Sequence, residues 1–278
     1  MPELPEVESV RRGLVRRRLR GVAVARVRSS GKPLRLARPQ PLAALRRATH
    51  GHRFLDVRRL GKYLLLELDG RWSVLVHLGM SGNLVTAKRA DPWAPHTHVV
   101  FELADGRDLR FVDPRRFGMV DVVERGRERA HPSLAVLGPD PIAEGLPPDH
   151  LATAAASRAT PVKQFILDQA VLAGVGNIYA SEALWLARIA PTRPARRLGA
   201  DGAAALTVAI HDVLEFAIDN GGTTLRDFVG ADGVPGDNGE YLLVYGRAGE
   251  PCPRCGTAIK KAMQAGRATY WCPTCQAR

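Results

Sequence analysis

The chain has 278 residues, 45% of them hydrophobic, which is enough to bury a sizeable core and build two domains, and which excludes a disordered tail or a mini-protein. It holds no run of about twenty apolar residues, and Glu3, Glu6 and Glu8 stand where a signal peptide carries cations and then an apolar stretch, so a soluble, cytoplasmic protein with no membrane partner is expected. A formal net charge of +12 favours a polyanionic partner, nucleic acid first, although a GC-rich coding bias toward Ala, Arg, Gly and Pro raises the arginine content on its own.

Residues 3–19 carry the apolar spacing of a helix, with Leu4, Val7, Val10 and Leu14 in one stripe and Arg11, Arg12, Arg16, Arg17 and Arg18 on the other faces. From Gly21 to about Val123 the pattern changes to short alternating or β-branched runs at 22–27, 54–60, 63–68, 73–78, 98–103, 109–112 and 119–123. Gly, Pro and Asp punctuate them, which predicts an antiparallel sandwich or barrel. Residues 131–150 are rich in Pro and Gly and read as a linker. Helices are expected at 151–159, 162–172, 178–187 and 203–220, with Gly174-Val175-Gly176-Asn177 breaking the second from the third. The last segment, from Tyr241 onward, carries every cysteine.

The first residues read Pro2-Glu3-Leu4-Pro5-Glu6-Val7-Glu8. Removal of an initiator Met leaves Pro2 with a free secondary amine, and an α-amino group titrates near pH 8, about 2.5 units below a lysine, so part of it is nucleophilic at neutral pH. Attack on a sugar aldehyde carbon gives an iminium that has no N–H to shed and therefore acts as an electron sink. Glu3 stands beside it as a proton donor or acceptor. Pro5, Glu6 and Glu8 also fit ordinary helix-start chemistry, but Pro2 and Glu3 precede the helix proper. Lysine is scarce, with only Lys32, Lys62, Lys88, Lys163, Lys260 and Lys261. Where it survives in an arginine-rich chain, a group able to give up its proton is indicated.

Cys252-Pro-Arg-Cys255 and Cys272-Pro-Thr-Cys275 form two C-x2-C pairs separated by sixteen residues. Four thiolates at that spacing close a tetrahedral zinc site, and no position stays open, so one structural Zn2+ is expected rather than a catalytic one. Disulfides are the competing reading, disfavoured in a cytoplasmic protein. Lys260, Lys261, Gln264, Arg267 and Tyr270 make the hairpin between the pairs basic, suited to phosphate contact.

The N-terminal heptad, Asp113-Pro114-Arg115-Arg116-Phe117-Gly118, the stretch from Gly174 to Glu182 and the four-cysteine hairpin occur in an order and spacing that resembles the formamidopyrimidine-DNA glycosylase family, bacterial enzymes that excise oxidised purines and nick the strand. The resemblance spans the whole chain. It implies an α+β multidomain fold: an N-terminal β-sandwich with flanking helices at 1–130, the linker at 131–150, a helix-two-turn-helix domain at 151–238 and a zinc finger at 239–278. The implied partner is double-stranded DNA containing a damaged base, bound in a cleft between the domains by a monomer.

Matched residue by residue, the resemblance makes Pro2 the Schiff-base nucleophile, Glu3 the acid that assists departure of the base and ring opening, and Glu6 a supporting carboxylate. Lys62 corresponds to the lysine that transfers protons in β-elimination, and Arg267 to the finger arginine linked to δ-elimination. Met80 would fill the void left by the everted nucleotide, Arg115 would face the widowed base and Phe117 would wedge the stack. His96, Arg158, Lys163, Asn177 and Arg226 would contact phosphates, Arg226 standing where the family commonly has lysine. The stretch from Gly233 to Tyr241 departs from the family pattern and adds Asp237 and Glu240, which bears on the choice of lesion. Two other functions fit parts of the pattern: a catalytically silent zinc-finger DNA-binding relative, and an oxidised-pyrimidine glycosylase of the endonuclease VIII type. Leu4 and the intact Arg115-Arg116-Phe117 favour the purine branch.

Overall fold

The computed structural model describes residues 2–34, 42–224 and 228–276. Arg226 lies outside the described residues. The chain divides into two compact units, one running to Ala135 and joined by Asn220–Asp237, the other made of Val136–Asp219 and Asn238–Arg278. The segment 220–237 thus returns to the first unit, whereas the sequence pattern continued the helical domain to 238.

The first unit opens with helix α1 (Leu4–Arg16), whose Leu4, Val7, Val10 and Leu14 have no solvent exposure. The helix stops short of the predicted residue 19 because Arg18 turns into the left-handed region at φ 52°. Leu19 then folds back, fully buried, with its amide on Leu14 O at 3.3 Å.

Two four-stranded antiparallel sheets follow. One has the order β1-β6-β7-β5, from β1 (Val24–Ser29), β5 (Asn83–Lys88), β6 (Thr97–Leu103) and β7 (Arg107–Val112). The other has the order β2-β3-β4-β8, from β2 (Phe54–Leu60), β3 (Tyr63–Leu68), β4 (Trp72–His77) and β8 (Met119–Glu124). Inward side chains of both sheets, among them Val27, Phe101, Phe111, Leu64, Leu66 and Val74, share one buried cluster with Val7, Val10 and Leu14 of α1, as a sandwich with an attached helix requires. The sequence left β5 as a connection and did not foresee helix α2 (Leu42–Thr49). Strand β5 buries only Leu84 fully and lacks clean alternation, and α2 is just eight residues long. Beyond β8 the first unit ends in the short helix α3 (Pro132–Ala135).

The second unit begins inside the expected linker, which is ordered: buried Asp140 accepts the amides of Ile142 at 3.0 Å and Ala143 at 2.8 Å, and the Gly138 amide reaches Gln169 O at 2.9 Å. Helices α4 (His150–Ala155), α5 (Val162–Leu167), α6 (Asn177–Leu186) and α7 (Gly199–Asp219) follow. Helix α6 is buried from Ile178 to Trp185 on every face, which its largely apolar sequence allows, the side chains of Ser181 and Glu182 in that stretch both being hydrogen-bonded to backbone. The finger closes the unit with hairpin β9 (Lys260–Gln264) and β10 (Arg267–Trp271). Ala265 and Gly266 at its tip both have positive φ, 47° and 73°, as a two-residue hairpin turn demands.

Candidate active site and zinc finger

Chain termini usually fray, yet Pro2 and Glu3 are buried here. Glu6 is the reason. Its Oε2 accepts the backbone N–H of Glu3, the N-cap residue of α1, at 2.6 Å, and its Oε1 accepts the N–H of Thr223 at 2.8 Å. One carboxylate with 1% exposure thereby fixes the start of the chain and fastens it to the returning segment 220–224. That is a more specific arrangement than the supporting role the sequence suggested.

Lys62 sits in the two-residue turn between β2 and β3, where Leu60 pairs with Tyr63. Gly61 takes φ 56° there, the left-handed first position that a type II′ turn reserves for glycine. Lys62 is only 9% exposed. His77, at the end of β4, has its pKa pushed down to about 4, mainly by burial and further by the charge of Lys62. The ring is therefore neutral at neutral pH. Its Nδ1 accepts the Gly79 N–H at 3.0 Å, and it leans on Tyr63 with ring centroids 4.6 Å apart.

The residues expected to enter the DNA stack occupy two abutting loops. Met80 is 41% exposed, and Arg115 is exposed with its guanidinium carbon 4.7 Å from the Phe117 ring centroid. Asp113, fully buried, organises both loops. Its Oδ1 accepts Ser81 Oγ at 2.7 Å and Arg115 N–H at 3.2 Å, and its Oδ2 accepts Gly118 N–H at 2.7 Å. Gly79 has φ 68°, and a Cβ there would stand 2.4 Å from the Phe117 carbonyl carbon, so no other residue fits. Asp113 lay within a recognised motif without a role. An Asp whose side chain can take amides two and five residues on is the signal that marks it. His96 is exposed and adopts φ 65°. Its carbonyl accepts the Asp113 N–H at 3.0 Å, which ties it to the same loop.

In the second unit Arg158 and Arg267 are exposed, free to meet a polyanion. Lys163 differs from the expected phosphate contact. It is 1% exposed, and its Nζ donates to Ala268 O at 3.0 Å and to Thr269 Oγ1 at 2.9 Å. Burial of a cation demands such partners, so the ammonium anchors α5 to strand β10. Asn177, at the first turn of α6, donates its Nδ2 to the same Ala268 carbonyl at 2.9 Å. Two side chains thus converge on the peptide that follows Arg267. Glu182, also missed in the sequence, accepts the amides of Leu243, Val244 and Tyr245 at 2.8, 3.0 and 2.7 Å. Burial raises its pKa in spite of those three donors.

The four cysteine Sγ atoms lie within 4.8 Å of one another, with Cys252–Cys275 at 3.9 Å and Cys255–Cys272 at 3.5 Å. A tetrahedral Zn2+ with bonds of about 2.3 Å requires sulfur separations of about 3.8 Å, so the set fits one zinc. Bound there, the metal supplies cross-linking and no reaction chemistry. Trp185 of α6 donates its indole N–H to Cys252 Sγ at 3.4 Å, and the Arg254 guanidinium covers its ring at 4.0 Å.

Three family models match the chain in order: the formamidopyrimidine-DNA glycosylase N-terminal domain over residues 1–120, the formamidopyrimidine-DNA glycosylase H2TH domain over 137–229, and the zinc finger found in FPG and IleRS over 249–278. Among curated proteins, formamidopyrimidine-DNA glycosylases of Gluconobacter oxydans and Xanthomonas oryzae pv. oryzae are 45% and 46% identical to it, each over 99% of this chain and 100% of theirs. Among solved structures, the MutM (Fpg) protein of Thermus thermophilus matches with TM-score 0.87 and 41% identity, covering 100% of this chain and 99% of that one. The Lactococcus lactis Fpg in complex with DNA containing an abasic site matches with TM-score 0.90 and 32% identity, covering 99% and 100%.

Proposed function

The chain belongs to the formamidopyrimidine-DNA glycosylase family, and from that premise we propose how its residues act on duplex DNA that carries an oxidised purine. It is a DNA glycosylase and AP lyase that works on the DNA of the nucleoid as a monomer. With Met1 removed, the Pro2 amine attacks C1′ of the damaged nucleotide and gives up its own proton. The bond from C1′ to the base breaks, and Glu3 supplies the proton with which the base departs. The C1′–O4′ bond then opens, O4′ taking a proton, and the resulting Pro2–C1′ iminium acidifies the C2′ hydrogens, so that loss of one of them expels the 3′-phosphate. Lys62 transfers protons in that β-elimination, and Arg267 assists the second elimination, which expels the 5′-phosphate.

Reaching C1′ requires the nucleotide to leave the stack, at a cost of a few kcal/mol. Met80 fills the gap, Arg115 faces the widowed base and Phe117 wedges the neighbouring step. The buried Asp113 that joins their loops supports this reading. His96, Arg158, Asn177 and Arg226 contact phosphates, while Lys163 supports the strand that follows Arg267.

The observation that carries the mechanism is the double engagement of Glu6, which fastens the residues next to Pro2 both to the start of α1 and to Thr223. A catalytic amine at that end needs such placement. Borohydride trapping on abasic DNA tests it. Pro2→Gly should weaken or abolish the trapped complex while abasic-site binding stays within about tenfold, since phosphate contacts dominate affinity. Undiminished trapping removes Pro2 from the role, and a silent DNA-binding relative would trap nothing even as wild type.

A further inference from the structure

Arg59 is the penultimate residue of β2 and its side chain is only 3% exposed. Its Nε donates to Glu8 Oε2 at 3.0 Å, and its Nη1 donates to the carbonyl of Gly61 at 3.2 Å. Glu8 lies on α1, the helix that begins beside Pro2. Gly61 is half of the two-residue turn whose other half is Lys62. We propose that Arg59 is a positioning residue for Lys62: its planar guanidinium ties the Gly61–Lys62 turn to α1, so that the Pro2 amine and the Lys62 ammonium are held in one frame. The inference rests on the roles proposed above for Pro2 and Lys62.

Several observations favour positioning over general support of the fold. A buried ion pair adds little stability beyond what apolar residues of similar volume give, because desolvation offsets the attraction. Glu8 already has cations at hand. Arg11 binds it at 2.8 Å and Arg12 at 3.3 Å. Burial alone would raise the Glu8 pKa, yet the hydrogen bonds and charges of Arg11 and Arg59 carry it below the usual carboxylate range. A third guanidinium is not needed to neutralise that carboxylate. What Arg59 adds is its second hydrogen bond, to the turn. Only an arginine spans both acceptors with one rigid group, since lysine offers a point charge on a flexible stem. Arg11 also reaches Val57 O at 3.4 Å, so α1 grips β2 twice, and the grip nearer the turn is the one that touches the peptide before Lys62.

A double-mutant cycle on the full-length zinc-loaded enzyme tests the proposal. Strand nicking of a duplex with a preformed abasic site is measured in single turnover for wild type, Arg59→Lys, Lys62→Ala and the double variant. Arg59→Lys should slow nicking about tenfold and alter its pH profile, and in the Lys62→Ala background the same change should cost less than about twofold. Effects that multiply mean general structural support and overturn the proposal, as does an Arg59→Lys enzyme that nicks at the wild-type rate while Lys62→Ala is slow. Should Arg59→Lys fail to fold, Glu8→Gln enters the same cycle with the same two outcomes. If Lys62→Ala itself nicks at the wild-type rate, the catalytic reading of Lys62 is what fails, and the positioning claim falls with it.

Discussion

The hydroxyl of Ser81 donates to Asp113 Oδ1 at 2.7 Å, and through that bond one buried carboxylate governs both the loop that presents Met80 and the loop that presents Arg115 and Phe117. Asp113→Ala takes the acceptor from the Ser81 hydroxyl and the Gly118 amide and leaves the Arg115 amide with Ser81 Oγ, at a cost of about 2–4 kcal/mol. Ser81→Ala removes a neutral donor to Asp113 and a shared acceptor of the Arg115 amide, which keeps Asp113 Oδ1, and should cost about 1 kcal/mol. In Ser81→Ala the signal of a fluorescent base opposite the lesion, which reports insertion into the stack, should fall while affinity for undamaged duplex is unchanged. Equal loss of both would assign Ser81 to stability alone.

His77 sets an acid limit on the fold. Its folded pKa of about 4 lies below the ordinary 6.5, so between those values the unfolded chain binds a proton that the folded chain does not. Stability is then complete above pH 6.5, is lost as pH falls toward 4, and stops declining on this account below it. The loss amounts to about 2 kcal/mol, less than full burial would give because the ring keeps some solvent contact. Urea titrations of wild type and His77→Gln from pH 7.5 to pH 4 should show the difference between the two shrinking across that window. A constant difference contradicts the buried neutral ring.

Lys163 and Arg267 should separate in their salt dependence. Each phosphate contact contributes about 0.9 to the slope of log affinity against log salt on B-DNA. Arg267→Ala, like Arg158→Ala, should flatten that slope by about one. Lys163→Met removes the bonds to Ala268 and Thr269, so affinity should fall with the slope nearly intact. A slope reduced by one in Lys163→Met would restore the direct phosphate contact expected from sequence.

Zinc and DNA affinity should be lost together. Cys255→Ser leaves a three-cysteine set, and the finger has little apolar area of its own beyond Val244, Ile259 and the partly buried Leu243 and Tyr270 beside Trp185. Metal content and Trp185 emission should fall in step with binding. Intact affinity in metal-free protein would refute a zinc-dependent finger.

The sequence made legible what local spacing encodes. The C-x2-C pairs, the apolar stripe of α1, and strands β2 and β3 to the residue needed no long-range knowledge. It was silent where a residue's meaning depends on a distant partner. Lys163 reads as a surface cation until strand β10, 105 residues away, covers it. Arg59 reads as one more solvated arginine until Glu8, 51 residues earlier, is placed beside it. Segment 220–237 follows a helix of the second unit yet supplies an amide to Glu6 of the first, a return that no periodicity records. Helix α2 and strand β5 were missed because short elements carry too few turns or alternations to stand out.

A covalent bond joins the Pro2 nitrogen to deoxyribose in the proposed mechanism, and mass analysis of the borohydride-reduced complex measures it. The N-terminal peptide should lack Met1 and carry the sugar adduct on Pro2. An active preparation whose N-terminal peptide retains Met1, or whose adduct maps to Lys62 or another residue, contradicts the account.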